Sequence, residues 1–205
     1  GARVSAYAFD SERQPSRFIA STLTDDEGYF NFPELPDELI RLVIEAAPDG
    51  SSTMLCDATD GCGAGVAFGQ AMPLPENFQL VSLLPANRPQ GSVAVTPLTH
   101  IAALWAEQFP LGVTDQTAML ALSQVAAVFA LDENFAWQTP IDVTDLAELA
   151  AATDAAQAHG FLSAGFAQLG GGTDAQQVIA EYVQAFIDNG GQLPIGQGGG
   201  DLQTL

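Results

Sequence analysis

The segment of residues 92–109 changes within a few positions from the apolar spacing of a strand to that of a helix. Val93 and Val95 alternate with other residues as in a strand, and apolar residues then recur at intervals of three and four. Thr96 and Pro97 mark the change, because a threonine hydroxyl can cap a helix and proline suits the first helical position. The predicted buried stripe of this helix comprises Leu98, Ile101, Ala102, Trp105 and Phe109. The chain is therefore predicted to be α+β, with strands before this segment and helices after it.

Residues 1–95 are predicted to form an antiparallel β-sandwich. Alternation of apolar and polar residues predicts its strands over residues 2–9, 17–24, 39–46 and 78–84. Gly28 is predicted to have a positive φ, because it ends an acidic turn that begins at Asp25. Phe30 and Phe32, two positions apart, are predicted to face the same side.

Residues 96–191 are predicted to form an antiparallel helical bundle, and residues 192–205 a tail or linker. The later helices are predicted over residues 114–131, 145–152, 154–169 and 174–188. Thr114 is the predicted cap of the first of these, and Thr173 with Gln176 forms a predicted capping box for the last. The predicted buried faces comprise Met119, Leu122, Val125, Ala126, Phe129, Ala158, Phe161, Leu162, Phe166, Leu169, Val178, Ile179, Tyr182 and Phe186.

The charge of the chain is strongly acidic and unevenly distributed. The 205 residues include 25 acids, five arginines and no lysine, and the formal net charge is −20. Every arginine precedes residue 89, so the predicted helical half must fold by packing without internal Lys or Arg ion pairs. This balance argues against nucleic acid or anionic lipid as a partner. No apolar run approaches the ~20 residues that a membrane-spanning helix requires, so no membrane insertion by this segment is predicted.

The two cysteines of the chain, Cys56 and Cys62, lie in a loop rich in glycine and aspartate. Their spacing favours a disulfide formed in an oxidising compartment. Free thiols are a second interpretation. Metal ligation is a third, although it would require further cysteine or histidine ligands that are absent nearby in the sequence.

No catalytic motif is visible. The two histidines, His100 and His159, lie in predicted helices, and no nucleophile elbow accompanies them, so both are interpreted as packing or capping residues. No sequence pattern predicts a cofactor, with calcium as the weak exception. Asp57 and Asp60 of the cysteine loop are candidate Ca²⁺ ligands, because carboxylate oxygens suit this ion. They match only a fragment of a calcium-loop motif, and solvated turn residues are the alternative interpretation.

The N-terminal region resembles the carboxypeptidase-regulatory-like domain, a transthyretin-like β-sandwich of secreted bacterial proteins. The resemblance covers about the first 50 residues and rests on an A-x-V-x-A strand followed by a T-D-x-x-G-x-F/Y turn. The matching residues are Ala2, Val4, Ala6, Thr24, Asp25, Gly28, Tyr29 and Phe30. The phrase VTPLT, which begins at Val95, is similar to phrases that follow such sandwiches in secreted proteins and lipoproteins of Gram-negative bacteria. The resemblance implies an extracellular, cell-surface or periplasmic location.

Members of this family carry a further strand before the A-x-V segment. The resemblance therefore implies either a sandwich with one open edge or a first strand supplied from elsewhere. The predicted strand-exchange edge comprises Ala2, Val4, Ala6 and Ala8. An open edge presents unpaired N–H and C=O groups, to which another strand can add.

The leading functional hypothesis is a non-enzymatic extracellular or envelope protein, structural or adhesive, that forms fibres by strand complementation. Its expected partners are further copies of itself or a neighbouring envelope protein. The alternative is an accessory module that binds a glycan or peptide, and it predicts an exposed aromatic residue, Trp137 or Tyr29, in a groove. A third hypothesis, an enzyme without a visible motif, requires a deep pocket lined by several carboxylates.

Overall fold

The computed structural model describes residues 1–63, 65–88, 92–171 and 174–194, and the strands in these ranges precede the helices. The strands are β1 Arg3–Ala8, β2 Arg17–Leu23, β3 Ile40–Glu45, β4 Thr53–Leu55, β5 Ala71–Pro73 and β6 Gln79–Leu84. The helices are α1 Pro97–Ala106, α2 Asp115–Phe129, a short 3-10 helix Phe135–Trp137, α3 Leu146–Ala151, α4 Asp154–Leu169 and α5 Ala175–Asp188. This order confirms the predicted α+β class. Strands β4 and β5 were not predicted, because three residues are too few for a visible alternation.

The larger sheet has the strand order β2-β1-β3-β6, and each pair in it is antiparallel. β4 and β5 form a separate two-stranded antiparallel sheet. The alternation of β3 sets its register, since Ile40 and Leu42 turn to one face, where Phe30 and Phe32 cover them. The two phenylalanine rings meet edge to face, 6.0 Å apart. As predicted, Gly28 takes a positive φ of 85° in the turn before them.

The structure corrects the predicted strand-exchange edge. β1 lies inside the sheet, paired with β2 on one side and with β3 on the other, so its backbone is not free for another strand. The four residues assigned to that edge, Ala2, Val4, Ala6 and Ala8, are all buried. The physical reason is their size, because small side chains allow other layers to approach a central strand closely. The lateral edges of the sheet belong to β2 and β6 instead.

The main core spans both halves of the chain. Val81 and Leu83 of β6 pack in one cluster with residues of α1, α2, α4 and α5, among them the fully buried Phe186. The other face of the sheet carries a smaller cluster around Ile40 and Leu42. The predicted boundary at residue 95 therefore separates strands from helices but does not separate two cores.

The starts of the first two helices agree with the sequence. The side chain of Thr96 accepts a hydrogen bond from the N–H of Thr99, whose hydroxyl in turn accepts from the N–H of Thr96. Thr114 and Thr117 form the same reciprocal cap on α2. α1 ends at Ala106, three residues earlier than predicted. Each cap satisfies two backbone N–H groups that the first turn leaves without a partner.

Three apolar residues predicted to be buried are exposed: Met119 at 45%, Phe161 at 51% and Leu169 at 37%. The helical period marks a broad apolar stripe, and in α2 and α4 the neighbouring elements cover only part of it.

The predicted capping box begins at Thr173, which lies outside the described residues. Asp174 occupies the cap of α5 without a side-chain hydrogen bond to the helix. Residues 195–205 of the predicted tail also lie outside the described residues.

Candidate functional site

A large open cleft lies where the two halves of the chain meet, and its volume is about 1940 Å³. Its inner end reaches the sheet at Leu42, Ile44 and Leu84, of which Leu42 and Leu84 are buried. The walls are the loop of residues 24–37, the β4–β5 region, the segment of residues 137–148 and one side of α4. Five separate parts of the chain therefore contribute to one concave surface, as is usual for ligand sites between structural units.

The turn at Asp25 presents an aromatic side chain at the rim of the cleft. The Asp25 carboxylate accepts hydrogen bonds from the backbone N–H groups of Glu27, at 3.1 Å, and Tyr29, at 2.8 Å. These bonds fix the turn, and the Tyr29 side chain remains 50% exposed. The rim thus holds a half-exposed ring on a constrained backbone.

The opposite wall carries the second aromatic residue. Trp137 ends the short 3-10 helix, which is joined to the β half by a 2.9 Å hydrogen bond from the N–H of Ala94 to the carbonyl of Ala136. Trp137 is partly buried and lines the cleft. Beyond it, Ile141 packs against α4 at Gly160, where an added Cβ would lie 2.4 Å from the Cγ1 atom of Ile141. This close contact sets the position of the wall.

The cleft is strongly acidic. The acids that line it are Asp25, Asp26, Glu27, Asp37, Asp57, Asp142, Asp145 and Glu148, whereas its only basic lining residue among those described is Arg88. Some of these carboxylates serve local structure. Asp142 accepts from the N–H and the hydroxyl of Thr144, and Asp145 caps α3 through the N–H groups of Ala147 and Glu148. Their charge nevertheless adds to the negative potential inside a low-dielectric cleft.

Asp57 differs from these carboxylates. Its Oδ1 atom is buried and has no hydrogen-bond partner among the described residues. Burial, and to a smaller extent the negative charge of Asp142, raise the pKa of Asp57 to about 6. Ser163, on the α4 wall of the same cleft, also has a buried hydroxyl without a partner in the described ranges. A buried polar atom without a partner costs free energy, and these two atoms are closed to solvent, so neither is exposed to a ligand in the cleft.

The two candidate calcium ligands border different cavities. Asp57 lines the large cleft, whereas Asp60 borders a smaller cavity and accepts a hydrogen bond from the Gln168 side chain of α4 at 3.1 Å. The side-chain Oε1 atom of Gln168 accepts hydrogen bonds from the backbone N–H and the hydroxyl of Thr59, and these bonds secure the loop to α4. Within the described ranges, no three His, Cys, Asp or Glu side chains are grouped so that they could hold a metal ion.

The predicted disulfide between Cys56 and Cys62 is present, with the two Cα atoms 5.7 Å apart. Both cysteines are buried and pack with Ala58, Val66 and Met72 in a small cluster of their own. This cluster holds the loop that presents Asp57 to the cleft. The cross-link is typical of proteins that fold in an oxidising compartment.

Both histidines lie outside the cleft and have structural contacts. The Nδ1 atom of His100 accepts a 3.1 Å hydrogen bond from the N–H of Val81, on the outer edge of β6. The Nε2 atom of His159 lies 3.1 Å from the Thr96 hydroxyl, and its Nδ1 atom is buried without a partner among the described residues. Burial lowers the pKa of each histidine to about 4. Both are therefore neutral at pH 7.

Side chains cover the outer edge of β6 at two positions. Val81 pairs with His100 of α1, and the backbone N–H and carbonyl of Gln79 pair with the amide side chain of Gln176 on α5. β2 has no comparable cover in the described part of the chain. Of the two lateral edges of the sheet, β2 is thus the one at which another strand could pair.

Little in the sequence indicates the cleft. The two aromatic residues suggested for a groove, Tyr29 and Trp137, do lie on one cleft, 108 positions apart in the sequence. The burial of the Asp57 carboxyl group was not predicted, because an aspartate in a glycine-rich loop has the pattern of a solvated turn residue. The folded chain also places it near the charge of Asp142.

None of the helices in the described ranges has the length and apolar content that a membrane span requires. Comparison with known proteins adds no relative from which a function could be transferred. No family model, curated protein or solved structure matches this chain.

Proposed function

We propose that this chain is a non-enzymatic binding module of an extracellular or cell-envelope protein, and that the cleft between its two halves holds the ligand. The observation that carries the proposal is the presence, in one cleft, of the aromatic residues Tyr29 and Trp137 together with eight acidic side chains. Ligand sites commonly combine an apolar surface with a few polar groups of this kind. A glycan or a peptide would fit such a surface.

The location in a Gram-negative cell envelope or its surroundings rests on two supports. The first is the disulfide, which suits an oxidising compartment. The second is the resemblance of the first 50 residues to regulatory-like sandwiches of secreted proteins. Both supports are independent of the cleft.

Binding is favoured over catalysis by the state of the carboxylates. Acid–base hydrolysis needs two carboxyl groups that are free to face the reacting bond. Here Asp25, Asp142 and Asp145 each accept hydrogen bonds from their own loops. The Oδ1 atom of Asp57 is buried, so it does not face a reacting bond either.

The aromatic residues provide the direct test. Replacing Trp137 or Tyr29 by alanine is expected to weaken ligand binding about tenfold, because each ring supplies contact area worth roughly 1–2 kcal/mol. Binding would be measured on glycan and peptide arrays and then by calorimetry on the ligands found. Phe68→Ala is the control, since Phe68 is 39% exposed and does not line the cleft. An array on which no ligand depends on Trp137 or Tyr29 would refute the proposal.

A second candidate function is assembly by strand addition at β2. It is favoured by the uncovered outer edge of β2 and by two exposed apolar residues on this strand, Phe18 at 55% and Leu23 at 59%. A strand from another copy, or from a neighbouring envelope protein, would extend the four-stranded sheet.

Changing Phe18 to glutamate is expected to abolish such assembly, because a charge opposite the added strand disfavours edge pairing. Light scattering and electron microscopy would compare the oligomeric state of this variant with that of the original chain. Phe161→Glu is a matched control, since Phe161 is 51% exposed but lies on α4, away from the sheet edge. A uniform monomer of the original chain at high concentration and high salt would eliminate this second candidate.

A further inference from the structure

We infer that β2 pairs with β2 of a second copy of this chain, antiparallel and about a two-fold axis at Ser21, so that two four-stranded sheets become one continuous sheet. This inference rests on the second candidate function, and it specifies the partner, the register and the size of the assembly. The product is a closed dimer rather than a fibre. Five features of the sheet support this assignment.

The first feature is the direction of the backbone groups of β2. The N–H of Thr24 donates to the carbonyl of Ala2, at 2.9 Å, so Thr24 points its backbone groups towards β1. Successive residues of an antiparallel strand point these groups to opposite sides. Ser21 and Leu23 therefore point theirs away from β1, to the side on which the described part of the chain has no further strand. Their N–H and carbonyl groups are available to a second strand.

The second feature is a bulge in β2. Between Ala6 and Tyr7 of β1 the paired position in β2 advances by two residues, so Ile19 is an extra residue. The bulge changes the alternation of β2. Phe18 and Leu23 therefore lie on the same face of the sheet although an odd number of positions separates them, because their partners in β1 are four positions apart.

The third feature is that the exposed apolar residues of β2 match each other across the two-fold axis. When Ser21 lies opposite Ser21 of the second copy, Phe18 of each copy lies opposite Leu23 of the other, and each bulge faces the regular backbone at Thr22. Phe18 is 55% exposed and Leu23 is 59% exposed in the single chain. This register covers both residues of both copies at once, and such cross-strand apolar pairs stabilise a sheet.

The fourth feature is the charge at the two ends of β2. Arg17 begins the strand, and Asp25 and Asp26 follow shortly after its end. Antiparallel pairing places Arg17 of each copy near these acids of the other copy, whereas parallel pairing would place like charges together. Arg17 pairs with Glu38 of its own chain, but its side chain is 58% exposed, and a guanidinium has several N–H donors for a further carboxylate. The charges therefore favour the antiparallel arrangement.

The fifth feature is the cover on the opposite edge of the sheet, which limits the assembly to two copies. At β6, His100 accepts a hydrogen bond from the N–H of Val81, and Gln176 pairs with the backbone of Gln79. Among the described strands of the sheet, β2 is thus the one with an uncovered edge. A two-fold interface occupies that edge in both copies, so no edge remains for a third copy.

Sedimentation equilibrium of the original chain in 0.05 M and 0.5 M NaCl tests the size of the assembly. A reversible monomer–dimer equilibrium is expected. The dimer is expected to be about threefold tighter at the higher salt, because salt screens the repulsion between two chains that each carry a net charge of −20. Filaments on electron micrographs would overturn the closed dimer but preserve strand addition. A monomer at every concentration in both salts would overturn this inference together with the second candidate function.

Cysteine cross-linking under mild oxidation tests the register. Ser21→Cys is expected to form a covalent dimer, because opposite Cα atoms in a hydrogen-bonded pair lie ~5.5 Å apart. Phe18→Cys and Leu23→Cys are expected to cross-link when mixed but not when each is alone. Thr22→Cys is the matched control, since the two copies of Thr22 would lie about 8 Å apart, beyond disulfide reach. Equal yields for Ser21→Cys and Thr22→Cys would overturn the register.

Ser21→Pro separates pairing from folding. Proline removes an N–H that faces away from β1, and such a position on an edge strand tolerates proline. The variant is expected to keep the circular dichroism spectrum of the original chain and to associate about tenfold more weakly, because each copy loses a hydrogen bond across the axis. Phe18→Glu leaves the backbone intact and is expected to weaken association at least as much. A dimer that persists unchanged in both variants would overturn pairing at β2.

Discussion

Lowering the pH from 7 to 4 is expected to destabilise this protein by about 4 kcal/mol net, mainly through its two histidines. Each folded-state pKa is about 4, below the ordinary value of about 6.5 for an unfolded chain. The unfolded chain therefore takes up the protons first. The stability associated with neutral His100 and His159 is fully present above pH 6.5 and is lost as the pH falls towards 4.

The magnitude follows from the size of the pKa shifts. Each histidine contributes about 3 kcal/mol over this range, since one pKa unit corresponds to about 1.4 kcal/mol. Asp57 acts in the opposite direction, because its raised pKa lets the folded chain take up a proton first. Protonation of Asp57 therefore raises the free energy of unfolding by about 2 kcal/mol, after allowance for its partial exposure. The histidines therefore dominate.

The contacts explain why protonation is costly. A protonated His100 can no longer accept the hydrogen bond from Val81, and it would place a positive charge near Arg41. A protonated His159 would carry its charge in a site with 0% exposure, beside the ring of Phe135 and the Thr96 hydroxyl. Both changes affect α1, one through its packing on β6 and the other through its cap.

Urea unfolding at pH 7, 5.5 and 4.5, followed by tryptophan fluorescence, would measure the effect. His100→Gln keeps an acceptor for Val81 but does not titrate in this range, and His159→Leu removes the unpartnered Nδ1 atom. Each substitution is expected to remove about half of the histidine-dependent loss. The chain has two histidines, so the double variant leaves only carboxylate titration. An unchanged acid sensitivity in the double variant would contradict this account.

Replacing Gly160 by alanine is expected to destabilise the fold by about 2–3 kcal/mol. The new Cβ would lie 2.4 Å from Cγ1 of Ile141 and 3.1 Å from its carbonyl oxygen, so the wall of the cleft must move. Alanine favours a helix over glycine by about 1 kcal/mol, but this gain is smaller than the cost of the overlap. Thermal and urea unfolding of the variant would give the net change.

A double-mutant cycle with Ile141→Ala separates the contact from general helix effects. Ile141→Ala alone creates a cavity and is expected to cost about 2 kcal/mol. The double variant is expected to be at least 1 kcal/mol more stable than the sum of the two losses predicts, because truncating Ile141 makes room for the new methyl group. If the stability losses of the two single variants add up to that of the double variant, the contact between Gly160 and Ile141 is contradicted.

Local chemistry made much of the secondary structure predictable. The threonine caps at Thr96 and Thr114 were visible because a hydroxyl directly before a helix-forming run can accept a hydrogen bond from the N–H group three residues later. The strands β1, β2, β3 and β6 were visible because alternation has a fixed period of two. The disulfide was predictable because five intervening residues bring two loop cysteines within bonding range. Each of these features depends on residues close together in the sequence.

Strand order was not predictable in the same way. β1 was assigned to an open edge, but it lies between β2 and β3. Alternation shows which side chains face inward, and it contains no information about which strand lies beside which. The neighbours of β1 are decided by how the whole sheet packs on the helices and on the residues 30–35 that cover its other face.

The candidate site depends even more on tertiary structure. The sequence by itself determined that the chain is acidic and predicted its α+β class, and it named Tyr29 and Trp137 as the aromatic residues of a hypothetical groove. Only the folded chain places these two residues on one cleft and buries the Oδ1 atom of Asp57. Burial is a property of what surrounds a residue, and the cleft that Asp57 lines is built from segments that are distant in the sequence. For that reason the charge of the protein could be read from its sequence, whereas the burial of this carboxyl group could be found only in the structure.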